Sequence, residues 1–302
     1  MLQYSIMSVI EVKKNKHSAE KVILFFKFIP VADPTTAMFW QRELCAKLNL
    51  TGRILISEQG INGTLGGNID DLKTYKKTMN SHPLFKGIVY KWSEGGKSEF
   101  PKLKVKVKPE LVAFEASDEV ELHENGGVKN GGIHLNPEQV HDLVEKYGDD
   151  VIFYDGRNMY EARIGRFKNT VIPNVETSRD FLKDIESGEI SKFKDKHIVT
   201  YCTGGIRCEI LSVLMLNRGY KHIYQIKDGI VKYGEKYGDS GLWEGKLFVF
   251  DDRMQIGFTP EAKDIAECET CGAKTSRQVN IEDIRRKLKI ECADCADAKT
   301  KV

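Results

Sequence analysis

The chain has 302 residues, enough for two or three domains, and its 41% apolar and 30% charged content is ordinary for a soluble globular protein. A formal net charge of +2 does not by itself announce a nucleic-acid binder, and no apolar stretch approaches the length of a membrane span. The charge is unevenly spread: residues 20–115 carry 15 Lys/Arg against 10 Asp/Glu, residues 138–236 carry 16 of each, and residues 237–302 carry 11 against 13. Any polyanion-facing surface is therefore expected in the first third.

Residues 1–20 end in a lysine-rich piece (Lys13, Lys14, Lys16) and read as a loosely held extension. The first apolar run, around Ile23 to Phe26, is too short for a secretory signal and is interrupted by Lys27. Residues 22–29 read as a central strand. Asp33-Pro34 opens a helix that reaches Leu48, and residues 52–57 form a second strand. Gly60-Ile61-Asn62-Gly63 reads as a turn, with Thr64 and Leu65 in a third strand. A helix over 69–79 and a strand over 88–92 complete a βαββαβ order. That is a ferredoxin-like sandwich, a sheet with two helices on one face, assigned to residues 21–115.

In residues 100–109, Leu103, Val105 and Val107 alternate with Lys102, Lys104, Lys106 and Lys108. The lysines suit a phosphate backbone. They equally suit an edge strand guarded against aggregation. Residues 116–137 are acidic and then glycine-rich, which marks a linker. From 138 to 237, helices at Pro137–Tyr147, 176–185 and 208–217 alternate with strands at 151–154, 198–201 and His222–Ile226. That alternation predicts a mostly parallel sheet covered on both faces, with its crevice at the carboxyl ends of the strands. Residues 238–302 form a less regular C-terminal region.

The strand over 198–201 runs into Cys202-Thr203-Gly204-Gly205-Ile206-Arg207-Cys208. Glycines let backbone N–H groups turn toward a central atom. A helix start adds partial positive charge and Arg207 a full one. A cysteine held there favours its thiolate, the nucleophilic form. The plainer alternative is a buried cysteine ending a core strand. Cys208 either resolves an oxidised Cys202 or supports the loop. Asp155 and Arg157 close a neighbouring strand, where they orient the loop or a ligand, or cap the next helix. Asp251 and Asp252 are adjacent, which sets them on opposite faces of a strand and favours a turn or an inter-domain ion pair over paired acid–base work. Seven cysteines without a signal peptide indicate a reducing cytoplasm, where clusters mean metal or catalysis. Cys268, Cys271, Cys292 and Cys295 form two C-x2-C pairs, the spacing of a structural tetrathiolate zinc site; four free thiols on a mobile tail are the alternative. No G-x-G-x-x-G or P-loop is found, so no catalytic cofactor is evident.

The Cys202 loop is similar to the active loop of rhodanese-type sulfurtransferase domains. The ending Arg207-Cys208-Glu209 is narrower. It joins Gly60-Ile61-Asn62-Gly63-Thr64, Asp155-x-Arg157-Asn158-x-Tyr160-Glu161 and Phe248-Val249-Phe250-Asp251-Asp252-Arg253. Together these resemble the bacterial tRNA uridine-34 5-hydroxylase family. The resemblance implies an acylphosphatase-like N-terminal domain, a central rhodanese domain and a cysteine-rich C-terminal region. It implies oxygen-dependent 5-hydroxylation of the wobble uridine, tRNA as partner through its anticodon loop, molecular oxygen as co-substrate, and a Cys202 that forms a persulfide. An ordinary persulfide-forming rhodanese sulfurtransferase is the alternative. Two positions depart from the family pattern: Gly156 replaces a larger residue, and Asn280-Ile281-Glu282 stands where many members have further cysteine.

Overall fold

The computed structural model describes residues 19–281 and 288–300; the extension expected over residues 1–20 lies almost wholly outside them. The first unit contains β1 (Glu20–Phe28), α1 (Pro34–Lys47), β2 (Thr51–Ser57), β3 (Gly60–Asn68), α2 (Ile69–Ser81), β4 (Val89–Ser93) and β5 (Leu103–Val107). Local chemistry starts each helix. The Asp33 carboxylate accepts the Thr36 N–H at 2.9 Å with Pro34 in the first turn, and Asn68 caps α2 through the Asp70 N–H at 2.9 Å. Strand order is β4-β1-β3-β2-β5, antiparallel except for the β2–β5 pair. Alternation along β1 sends Ile23 and Phe25 into a core with Leu65, Tyr75 and Met79, under α1 and α2. It sends Val22, Leu24 and Phe26 to the face without helices. This is the expected ferredoxin-like sandwich, with β5 added at one edge.

The second unit contains β6 (Ile133–Leu135), α3 (Pro137–Tyr147), β7 (Val151–Asp155), α4 (Met159–Ala162), β8 (Gly165–Phe167), β9 (Thr170–Val171), α5 (Phe181–Ser187), β10 (His197–Tyr201), α6 (Ile206–Asn217), β11 (His222–Ile226) and α7 (Gly229–Tyr237). Its sheet runs β6-β11-β10-β7-β9, all parallel. Val199 and Tyr201 pack toward Val140 of α3 and Ile230 of α7. Ile198 packs toward Phe181 of α5 and Leu211 of α6 on the opposite face. The two-faced burial explains why these strands are apolar throughout.

The C-terminal region adds β12 (Trp243–Gly245), which pairs with β8, the hairpin of β13 (Leu247–Phe248) and β14 (Gln255–Ile256), the ribbon of β15 (Gln278–Asn280) and β16 (Leu288–Ile290), and α8 (Ala293–Thr300).

Three expectations are corrected. The Gly60–Gly63 stretch is not a turn; it begins β3 and pairs with both β1 and β2. Its glycines serve close packing: a Cβ at Gly63 would lie 2.5 Å from the Phe25 ring. The expected linker is folded. Ile133–Leu135 forms the edge strand β6, and Ala116 is buried with Leu111 and Phe114 in the core that holds Tyr154, Phe181 and Ile198. Acidic and glycine-rich composition hid these few apolar anchors. The helix expected over 176–185 starts later: Ser178–Asp180 forms one 3-10 turn before α5.

Candidate active site

Cys202 follows β10 at the carboxyl edge of the parallel sheet, and α6 begins at Ile206. Gly205 takes φ +97°, a left-handed conformation open to glycine, and donates its N–H to the Cys202 sulfur at 3.2 Å. A second helix start closes the loop from the side. The N–H groups of Ile230 and Val231 in α7 donate to the carbonyls of Cys202 and Thr203 at 2.9 and 3.1 Å. Gly229 makes this approach possible, because a Cβ there would lie 2.5 Å from the Cys202 carbonyl oxygen.

Cys202 is fully buried. Burial opposes its charge, yet the thiol is brought down to about 6 by the Cys208 thiol, the Arg207 guanidinium and the N–H groups of Cys208 and Arg207. Cys208 is buried behind it, and burial together with the Cys202 charge pushes its own thiol well up. Of the two cysteines, Cys202 is the thiolate and Cys208 the donor. Cys45 lies apart in the first core, where burial pushes its thiol up to about 12.

Arg207 is itself fixed. Its guanidinium makes two bonds to Glu161, at 2.5 and 2.9 Å, and one to the Thr203 hydroxyl at 3.3 Å. Glu161 is completely buried and also accepts the Asn158 N–H at 3.1 Å across the first turn of α4. Asp155 and Arg157 are fully buried and do not line the cavity described below. Their carboxylate and guanidinium pair at 2.6 and 2.9 Å, and Arg157 also donates to the Gly165 carbonyl at 2.6 Å. They brace the turn that carries α4. Gly156 between them lies against the loop's support: a Cβ there would sit 3.3 Å from the Cys208 sulfur.

The open face of the first sheet covers the loop. A Cβ on Gly204 would lie 2.5 Å from a Leu24 methyl. Lys91 of β4 bonds Asp228, the residue before α7, at 3.0 Å. Arg253 donates to Ser93 at 3.2 Å and to the Glu94 carbonyl while paired with Asp251 at 2.5 and 2.7 Å. The Asp252 N–H reaches the Glu99 carbonyl at 3.0 Å. The Asp251-Asp252-Arg253 stretch is thus a turn that joins the C-terminal region to the first unit by hydrogen bonds, while its ion pair, Asp251 with Arg253, lies within the turn.

Between these surfaces lies a cavity of about 970 Å³, lined by Cys202, Thr203, Gly204, Ile206 and Arg207 from the loop and by Leu24 and Arg53 from the sheet. Sheet register sets the charges above it. Lys91, Leu24, Thr64, Arg53 and Lys104 form one cross-strand row, and Leu55 stands opposite Lys106 in the next. Lys102, Lys104, Lys106 and Lys108 are all exposed, and Lys108 lines the cavity. Lys104 and Lys106 sit on an edge strand and also share the face that holds the cavity.

Farther away, Cys268, Cys271, Cys292 and Cys295 converge, their sulfurs all within 4.8 Å of one another. Cys271 and Cys292 sulfurs are 3.6 Å apart, and the Cys292 N–H donates to the Cys268 sulfur at 3.3 Å. Four sulfurs around a tetrahedral ion with bonds of about 2.3 Å would be separated by about 3.8 Å, so the donor set fits a metal ion. The β15–β16 ribbon brings the two pairs together, without further cysteine at Asn280 or Ile281. This region packs on α4: Gln278 donates to the Tyr160 carbonyl at 2.6 Å, and Arg163 pairs with Glu269 at 2.8 Å.

Comparison with known proteins matches this layout. Residues 20–111 match the model of the UPF0176 acylphosphatase-like domain, 136–236 the rhodanese-like domain and 244–302 the rhodanese C-terminal region. A protein of Corynebacterium urealyticum named tRNA uridine(34) hydroxylase is 55% identical over 277 residues, covering 91% of this chain and 93% of that one. Proteins of the same name from Pseudarthrobacter chlorophenolicus and Rhodococcus jostii are each 52% identical, over 91% and 92% of this chain and 94% and 97% of theirs. The chain belongs to the tRNA uridine(34) hydroxylase family. The resemblance carried by the loop and its companion motifs is thereby confirmed, and the three-part architecture is that of the family's matched domain models. Among the described residues, no helix is long and apolar enough to cross a membrane.

Sequence reasoning found the loop but not its supports. Glu161 and Phe250 appeared only inside resemblance motifs, and Leu24 only as part of a core strand. The geometry gives a direct test. Alkylation of Cys202 by iodoacetamide, followed by peptide mass spectrometry, should rise with pH around a midpoint of about 6. The thiolate form dominates above that midpoint and is lost below it. Replacing the pair together, as Arg207→Met with Glu161→Gln to avoid a stranded buried carboxylate, should move the midpoint up by about one unit. An unmoved midpoint would show that the guanidinium does not set the thiolate.

Proposed function

We propose that this protein hydroxylates carbon 5 of uridine 34 in tRNA, with molecular oxygen as co-substrate and Cys202 as nucleophile. The observation that carries the reading is one cavity with an activated sulfur on its floor and a basic sheet face as its roof. Relatives bearing the hydroxylase name span nine-tenths of the chain, which supports this chemistry over others.

The chemistry follows from the electrophilic carbon 6 of uracil. Cys202 sulfur adds there, and the electron pair moves to carbon 5 as an enolate. The enolate bonds oxygen and, with a proton, becomes a carbon-5 hydroperoxide. Two electrons and two protons from a dithiol-class reductant cleave the O–O bond, leaving the alcohol and releasing water. Loss of the carbon-5 proton then expels the thiolate, restores the double bond and yields 5-hydroxyuracil. The loop N–H groups and Arg207 stabilise the sulfur anion at the start and at the end of the cycle. An unpaired wobble base enters such a pocket at small cost, since no base pair is broken. Lys102, Lys104, Lys106 and Lys108 would hold the RNA backbone alongside. A tRNA substrate sets the reaction in the cytoplasm. The loop's inward N–H groups also suit a Cys202 persulfide, so sulfur transfer is the competing reading.

For the tail, we propose a zinc ion held by Cys268, Cys271, Cys292 and Cys295. Four thiolates leave no open position, so its role is structural. The four cysteines would then fix the ribbon that packs beside Glu161.

Nucleoside mass spectrometry of tRNA from a strain lacking the gene tests the reaction. Restoring the wild-type gene should return 5-hydroxyuridine-derived wobble bases, and Cys202→Ala should return none. Normal tRNA together with lost thiosulfate turnover would favour sulfur transfer. With the purified protein, Lys104→Glu plus Lys106→Glu should weaken tRNA binding and lower the salt slope by about two. Elemental analysis should find close to one zinc per chain, and chelation should lower the melting temperature. A metal-free protein of unchanged stability would refute the zinc reading.

A further inference from the structure

Phe250 is a large apolar side chain left 59% exposed, on the wall of the same cavity as Cys202. It is nonetheless held in place. Its ring meets Phe248 edge-on, with centroids 5.1 Å apart at 83°, and Phe248 meets Tyr160 edge-on at 5.3 Å. The next residues, Asp251 to Arg253, are tied to the first unit as described above. The Arg207 guanidinium lies 5.9 Å from the Phe250 ring centre, which relates the ring to the Cys202 loop. A rigid aromatic face, open to a cavity whose roof carries Arg53 and whose rim carries Lys108, matches a flat, π-faced group attached to a polyanion. That description fits a nucleobase in single-stranded RNA.

Building on the proposed reaction, we infer that Phe250 is the stacking platform for the target base. The base lies against the exposed ring, which sets its plane while the Cys202 loop addresses its edge. Stacking depends on a π-face rather than on one particular hydrogen bond, so aromatic replacements retain the function and aliphatic ones lose it. The ring is 59% exposed and belongs to none of the buried core clusters, so removing it leaves the fold in place.

The test measures binding of the full-length protein to anticodon stem-loop hairpins with uridine or an abasic sugar at position 34. Phe250→Ala should weaken binding of the uridine hairpin roughly ten-fold and leave the abasic hairpin unchanged. Phe250→Trp should bind the uridine hairpin like wild type. The pH midpoint of Cys202 alkylation should be the same in all three proteins, which separates stacking from damage to the loop. Equal loss on both hairpins, no loss on either, or coupling to an abasic sugar at a neighbouring position instead would overturn the inference. If wild type hydroxylates uridine 34 while the hairpins show no coupling, only the stacking role fails. If wild type modifies no tRNA, the reaction itself fails and the stacking role falls with it.

Discussion

The buried pair between Glu161 and Arg207 is the interaction on which the rest of the site depends. A thiol in a water-free position ordinarily stays protonated, because burial penalises its charge. Cys202 escapes this through the Cys208 thiol that donates to it, a cation held beside it and N–H groups aimed at it. That cation is itself buried and would be costly alone. Glu161 neutralises it in a two-point bond, and the first turn of α4 holds Glu161. A chain of fixed charges therefore runs from α4 through Arg207 to the sulfur. The buried Asp155–Arg157 pair holds the turn before α4, and the cysteine-rich ribbon packs on its outer side.

The three parts of the chain each take a share in one site. The parallel sheet delivers the loop at its carboxyl edge. The first unit supplies a roof whose register lines up Lys91, Arg53 and Lys104 around Leu24. The C-terminal hairpin bridges the two through Arg253 and exposes Phe250 to the cavity. Here the Cys202 loop is covered by a basic sheet face. That cover is what turns the reading from sulfur transfer toward an RNA base.

Features set by neighbouring residues were legible in the sequence. The Cys202 loop, its glycines and Arg207 lie within a few residues, and each acts on the backbone directly beside it. The two C-x2-C pairs were legible because a metal-ligand spacing is local, even though their meeting depends on a ribbon. The order of strands and helices gave both sheets. What was not legible depends on distant chain. Glu161 lies 46 residues before Arg207, and nothing near either one announces the pair. Gly60 to Gly63 suggested a turn, because glycine signals both turns and close packing, and only the Phe25 ring decides between them. The acidic, glycine-rich stretch after β5 looked like a linker, since its few anchors, such as Ala116, show as core only when α5 packs on them.

In the proposed reaction, Cys202 sulfur adds to carbon 6 of the wobble uracil and makes carbon 5 nucleophilic. Hydrogen exchange at carbon 5 of uridine 34 measures this directly. With oxygen excluded, the purified protein should exchange that hydrogen with deuterated water, and Cys202→Ala should not. Hydroxylation by wild type without any anaerobic exchange, or full hydroxylation by Cys202→Ala, would contradict the account.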